Sequence, residues 1–314
     1  MHTSDVPCEG IAGPVMLRAP DAGVGLRGGI VALHGSSLPQ RDQPLFEHLA
    51  ATVTPLGFAV ASFDRRAWSA GADTPLRVQA ADASSVVELL RARLRVPIGL
   101  FGFSQGAWSA AMAAADDPGV AFLVLVGCCG VSPAEQMRFH TDELLRRAGY
   151  DGTDRAQLRE LRLAIEAIRR GGGDRERAGR LLRSAAARPW FHLAYLDSEL
   201  PDDAESWPDM DYEPKPTFAK VLCPVLLLYG ADEECVPADA SERAWRRATQ
   251  ASGNSRVTVV HVPGCGHFPA PGATGSSLDV PVSGFSPPYT AALEEWLSAG
   301  EAACLWPPFA QPAP

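Results

Sequence analysis

Residues 97–106 constrain the fold more than any other stretch. They read Pro-Ile-Gly-Leu-Phe-Gly-Phe-Ser-Gln-Gly, and Ala107, Trp108, Ser109, Ala110, Ala111 and Met112 follow. A short apolar run that ends in Gly-x-Ser-x-Gly and passes at once into a small-residue helix is the setting of a nucleophile elbow. In such a turn Ser104 takes strained dihedrals so that its hydroxyl stands clear of a sheet. Gly102 and Gly106 flank it because a Cβ at either place would meet the neighbouring strand or helix. A chance Gly-x-Ser-x-Gly in a glycine-rich loop would lack both the strand before it and the helix after it.

Apolar runs of strand length recur on both sides, at residues 15–18, 29–33, 58–63, 120–126, 224–229 and 256–262. Helical patterns alternate with them. Leu45, Phe46, Leu49 and Val53 share a face over residues 42–54, and Val86, Val87, Leu89, Leu90 and Leu94 over 80–94. Further helices are expected at 242–248 and 289–297. Strands alternating with helices predict an α/β fold with a mostly parallel sheet covered by helices on both faces.

The rhythm breaks over residues 132–220, where helical patterns occur without a strand. Ser132, Pro133 and Glu135 make a helix start. Leu158, Leu161, Ile165 and Ile168 form one apolar stripe on an arginine-rich helix at 155–170, which Gly171-Gly172-Gly173 ends; another helix fits 175–187. Trp190, Phe191, Tyr195, Trp207 and Tyr212 gather around a Pro/Asp-rich loop. The strand pattern then resumes, so residues 1–131 and 221–300 read as one core and 132–220 as a helical cap inserted between two strands. Two unrelated domains would not give this resumption. Residues 301–314, rich in proline, read as a poorly ordered tail.

With 46% of its 314 residues hydrophobic, the chain can bury a large core. A net charge of −9 and a pI near 5.3 argue against a nucleic-acid partner. Residues 1–10 are polar and lack the basic and apolar regions of a secretory signal, and no apolar run reaches membrane-span length. The seven cysteines are odd in number, and Cys128 and Cys129 are adjacent, which suits reduced thiols. These features predict a cytoplasmic protein with a small-molecule substrate and no membrane partner; they leave the oligomeric state open. No Cys-x-x-Cys or His-Glu-x-x-His spacing points to a metal, and no motif to a cofactor.

A serine hydroxyl needs a base to take its proton and an acid to orient that base. Pro263-Gly264-Cys265-Gly266-His267 follows the last apolar strand, and its two glycines allow a tight loop that returns His267 toward the elbow. His261 falls inside that strand, His140 and His192 in the insertion, His48 in a helix and His2 at the terminus, all suited to structural roles. After the strand ending at Tyr229 comes Gly230-Ala231-Asp232-Glu233-Glu234-Cys235-Val236-Pro237, with three carboxylates; at least one of them is a solvated turn residue.

The order Ser, acid, His resembles the α/β-hydrolase superfamily, in its serine esterase, lactonase and serine-peptidase branch with a helical cap, over most of the chain. The resemblance implies catalysis by Ser104, His267 and an acid. Relatives read G-x-x-D-x-x-V-P at this turn; counting back from Val236-Pro237 favours Glu233, where most have aspartate, over Asp232, one residue early. It implies an oxyanion hole from the backbone N–H groups of Gln105 and of Ser36, which follows His34-Gly35. Asp64-Arg65-Arg66-Ala67-Trp68-Ser69 is similar to the family's D-x-R-G-x-G-x-S loop, with Ala67 and Trp68 at positions usually glycine or small. Trp68 then either projects toward the pocket or packs in the core. The implied activity is hydrolysis of an ester, thioester or lactone with an apolar or aromatic substrate, selected by a lid bearing Trp190, Phe191 and Trp207. The same triad also serves acyl transfer, C–C bond hydrolysis and cyclisation in this fold, and a non-catalytic binding protein is a third possibility.

Overall fold

The computed structural model describes residues 1–36, 39–67, 73–201, 207–273 and 280–299. Trp68 and the expected tail at 301–314 lie outside the described residues. The strands are β1 (His2–Val6), β2 (Val15–Ala19), β3 (Gly28–Leu33), β4 (Phe58–Ser62), β5 (Ile98–Phe103), β6 (Leu123–Val126), β7 (Val225–Gly230) and β8 (Val257–Val262). They form one sheet in the order β1-β2-β4-β3-β5-β6-β7-β8. From β4 to β8 every pair is parallel, whereas β1 and β2 add an antiparallel edge.

The central strands are buried along their whole length, as continuous apolar runs require when helices cover both faces. Alternate residues serve opposite layers. Val31 and Leu33 face one core with α2 (Leu76–Leu94), α3 (Gln105–Asp116) and Trp245 of α8 (Ala238–Ala251). Ile30 and Ala32 face the other, with α1 (Pro44–Val53) and α9 (Pro287–Ser298). β8 is the half-exposed edge, and His261 there is a surface residue paired with Glu242 at 3.2 Å.

Between β6 and β7 the described chain forms α4 (Pro133–Arg147), α5 (Gly152–Arg169), α6 (Arg175–Ala186) and the short α7 (Lys215–Phe218), and no strand. Ser132 caps α4 by accepting from the Glu135 amide, as its position suggested. Leu145, Leu158, Leu161, Ile165, Leu182 and Trp190 form a separate core of this insert. Its end returns to the main body, where Phe218 stacks on Trp245 at 3.8 Å.

Several expectations shift. Residues 2–6 pair as a strand despite their polar sequence, because β1 lies at a sheet edge with most of its side chains in solvent. The sixth strand starts at Leu123 rather than residue 120. α2 starts four residues before the expected 80, where Asp209 of the insert accepts the Leu76 amide at 2.8 Å. The expected aromatic cluster does not form as one group: Trp190 belongs to the insert core, whereas Tyr212 meets Trp108 edge-on at 6.1 Å. Among the described residues the cysteines are free, and no helix is long and apolar enough to cross a membrane.

Candidate active site

The carboxyl ends of β5, β7 and β8 converge on one point. β5 runs directly into Ser104, which has φ 53° and ψ −116°. This is one of three described non-glycine residues with positive φ, a conformation that needs support from its surroundings. The flanking glycines show why the turn can be so tight. A Cβ on Gly102 would lie 2.6 Å from the Ala107 Cα, and one on Gly106 would strike the His34 carbonyl oxygen.

The loop after β8 carries His267 back to this turn. Its Nε2 lies 2.8 Å from the Ser104 Oγ, and its Nδ1 lies 2.9 Å from the Glu233 Oε1. Both side chains of the His267–Glu233 pair are 4% exposed. The turn after β7 aims Glu233 inward, because the same Oε1 accepts from the amides of Cys235 at 2.9 Å and Val236 at 3.2 Å. Burial alone would raise the Glu233 carboxyl, but the charge and hydrogen bond of His267 and the two amides hold it below the usual range. Burial likewise works against the imidazolium, yet the Glu233 charge and hydrogen bond, with the Glu234 charge, hold His267 above its ordinary value.

Asp232 is exposed, and its amide donates to the Cys265 carbonyl at 2.9 Å; among the described residues its carboxyl makes no bond to His267. Glu234, not singled out from the sequence, is buried and accepts the His267 amide at 2.9 Å. A Cβ on Gly266 would collide with the Glu234 carboxylate. Thus adjacent glutamates hold the two ends of one histidine, Glu233 the ring and Glu234 the backbone. α4 braces this acidic turn through Arg147, whose Nη2 donates to the Asp232 carbonyl at 2.9 Å, and through Gln136, which donates to the Cys235 carbonyl at 2.7 Å.

On the other side, the Arg65 guanidinium holds the loop after β3 that carries Ser36. Its Nη1 donates to the Gly35 carbonyl and to the Gln105 Oε1, each at 2.8 Å, and its Nη2 to the Ser36 carbonyl at 2.7 Å. Among the described residues there are no cis peptide bonds, so the Gly35–Ser36 amide is planar and trans and its N–H points opposite to its C=O. Binding that C=O fixes the direction of the Ser36 N–H. The Gln105 amide opens α3, where helical N–H groups lack intrahelical partners and favour negative charge.

A cavity of about 1010 Å³ opens on Ser104 and His267 and reaches beneath the insert, with Trp108, Met137, Ile165 and Trp207 in its lining. Trp190 and Phe191 do not line the cavity. Trp190 is fully buried in the insert core with its indole N–H donating to Asp154 at 2.8 Å, and Phe191 packs against that core; Leu193, Tyr195 and Leu196 reach the cavity instead. Among the described residues one grouping could approach a metal, Glu233, Cys235 and His267, with ligand atoms within 4.8 Å of one another. Its Nδ1 and Oε1 are bonded to each other, and burial pushes the Cys235 thiol far up, so this donor set does not fit an ion as it stands.

The family model described as "Alpha/beta hydrolase family" matches residues 30–273. Solved structures with similar folds include DcsB in complex with its substrate analogue, at 19% identity over 96% of this chain and 100% of that one, with a TM-score of 0.58. Proline iminopeptidase from Mycobacterium smegmatis is 16% identical over 96% of this chain and 100% of that one, with a TM-score of 0.55. Est1E from Butyrivibrio proteoclasticus is 17% identical over 95% and 98% respectively, with a TM-score of 0.51. At these identities the likeness is one of fold. Among curated proteins none matches the chain in sequence.

Proposed function

The chain belongs to the alpha/beta hydrolase family, and from that premise we propose that it is a serine hydrolase of a carboxylic ester, thioester or lactone. The observation that carries this reading is the unbroken relay from Ser104 through His267 to Glu233, at 2.8 and 2.9 Å, on a strained turn. Ser104 Oγ attacks the carbonyl carbon while His267 Nε2 takes its proton. Glu233 keeps the ring oriented and stabilises the imidazolium that forms. The N–H groups of Ser36 and Gln105 receive the developing oxyanion, a term worth roughly 3–4 kcal/mol per donor. His267 then protonates the leaving group, and water attacks the acyl-Ser104 ester with His267 again as base. Labelling by a fluorophosphonate probe tests the nucleophile: wild type should be modified at Ser104, and an unlabelled but folded protein would defeat the reading. A panel of p-nitrophenyl esters, thioesters and lactones of graded length then identifies the bond cleaved.

Arg65 acts here as a positioning residue for the oxyanion hole. Arg65→Lys keeps the charge but loses the fork that spans Gly35, Ser36 and Gln105. The expected result is a fall in kcat of about tenfold to a hundredfold, smaller than the roughly 10²–10³ of a deleted donor, with KM little changed. A matching loss in KM alone would make Arg65 a binding residue instead.

The insert serves as a lid over the site, excluding water and shaping the pocket. Trp207 and Trp190 then separate two roles. Trp207→Ala should change kcat/KM unequally across a chain-length series. Trp190→Ala should instead destabilise the protein by about 3–5 kcal/mol, read from urea unfolding, because it empties a sealed core. Uniform scaling of every substrate by Trp207→Ala would remove that residue from the pocket.

A further inference from the structure

The cavity roof contains a buried charge that the mechanism does not use. Arg162, on α5, lines the cavity and is 4% exposed. A guanidinium taken from water needs a counter-charge. The Arg162 Nη2 donates to the Ala194 carbonyl, and its Nε has no acceptor among the described residues. Glu166 stands one turn further along α5 and its charge favours the Arg162 cation at longer range, but it makes no ion-pair contact with Arg162, and its Oε2 is shared between Arg138 and, at 3.7 Å, Arg170. Arg170 also pairs with Asp211 at 2.6 Å. Among the described residues, no carboxylate lies within 4 Å of Arg162 as an ion-pair partner, although the surface of the insert is rich in such pairs. A purely structural tie to Ala194 would use one donor of five and leave the guanidinium with no carboxylate in contact, only the more distant charge of Glu166, itself shared with Arg138 and Arg170.

We propose that Arg162 anchors a carboxylate carried by the substrate, remote from the scissile carbonyl, so that the preferred substrates have an apolar middle and an anionic end. This rests on the hydrolase reading above. Met137, Leu144, Ile165, Leu193 and Leu196 line the cavity and supply the apolar middle. One guanidinium matches the single charge of a carboxylate. The burial that makes its charge costly in the free protein strengthens its attraction for an anion that enters the cavity.

The test uses the full chain and matched ester pairs. One pair is p-nitrophenyl hydrogen adipate and p-nitrophenyl hexanoate, with the charge on the acyl side. The other is 4-carboxyphenyl hexanoate and phenyl hexanoate, with the charge on the leaving group. Wild type should favour the charged member of at least one pair by about tenfold or more in kcat/KM, the size of one charge-assisted hydrogen bond. Arg162→Gln should bring that ratio close to one, and Arg162→Lys should keep part of it. The wild-type ratios need no variant, so a poorly folding Arg162→Gln leaves the proposal testable. Turnover of the neutral esters with no preference in either pair would overturn the anchor and leave the hydrolase reading intact. Equal loss on charged and neutral esters in Arg162→Gln would also overturn it. Turnover of none of the four, with no fluorophosphonate label on Ser104, would defeat the hydrolase reading and the anchor with it.

Discussion

Ser104→Ala is expected to lower kcat by at least about a thousandfold while the protein stays folded. The substitution removes the one oxygen that lies 2.8 Å from His267 Nε2, and no other described hydroxyl bonds that nitrogen. Binding and the oxyanion donors would remain, so a small residual rate over water is consistent with the assignment. Ser104→Gly gives a second, independent readout. It removes the same oxygen but also relieves a backbone held at φ 53°, where a side chain costs on the order of 1 kcal/mol or more. The glycine variant should therefore be inactive and should melt at a higher temperature than the alanine variant. Residual turnover above about a thousandth of wild type would remove Ser104 as nucleophile. A glycine variant no more stable than the alanine one would mean that the turn stores no strain.

Glu233→Gln is the second large effect. Glutamine keeps the size of the side chain but loses the charge that stabilises the imidazolium and favours the right tautomer, so kcat should fall by about 10³–10⁴. Asp232→Asn should stay within a few-fold of wild type, since that carboxyl is exposed and does not reach His267. The pH profile separates the two further. The base form of His267 is the neutral ring, and Glu233 holds its pKa above the ordinary 6.5 against the opposing effect of burial. Wild-type kcat/KM should therefore rise with pH through a value above 6.5. In Glu233→Gln only the Glu234 charge is left to oppose burial, and the residual activity should rise at a lower pH than in wild type. An acid limb that does not move would sever the link between the two residues.

Linkage gives the same pair a stability signature. The raised His267 contributes stability fully below 6.5 and loses it as pH climbs through its folded value. The lowered Glu233 contributes above the ordinary 4.5 and loses it as pH falls through its folded value. Wild type should thus exceed Glu233→Gln in stability most between about pH 4.5 and 6.5.

Local chemistry made much of this protein legible before any coordinates. The apolar runs of β3 to β7 declare a sheet covered on both faces, because only a strand buried on both sides dispenses with polar alternation. Gly102 and Gly106 around Ser104 declare a close approach, because only they tolerate the backbone contacts of the elbow. His267 could be read from its place after the last strand. For the choice among Asp232, Glu233 and Glu234 the sequence offers only the count back from Val236-Pro237, which by resemblance favours Glu233, since three adjacent carboxylates differ in little else local. The turn after β7 makes that choice, with the amides of Cys235 and Val236 drawing Glu233 inward and Glu234 left to grip the His267 backbone. The same limit explains the aromatics of the insert. Trp190 and Trp207 are alike as residues, but helix packing seals one in the insert core and leaves the other on the cavity wall. It also explains Arg162, one arginine among many on an arginine-rich helix until packing buries it with no carboxylate in contact. Composition and spacing determine which segments fold and where sharp turns fall; which side chain enters a site depends on contacts between segments far apart in the chain, and only the tertiary structure decides that.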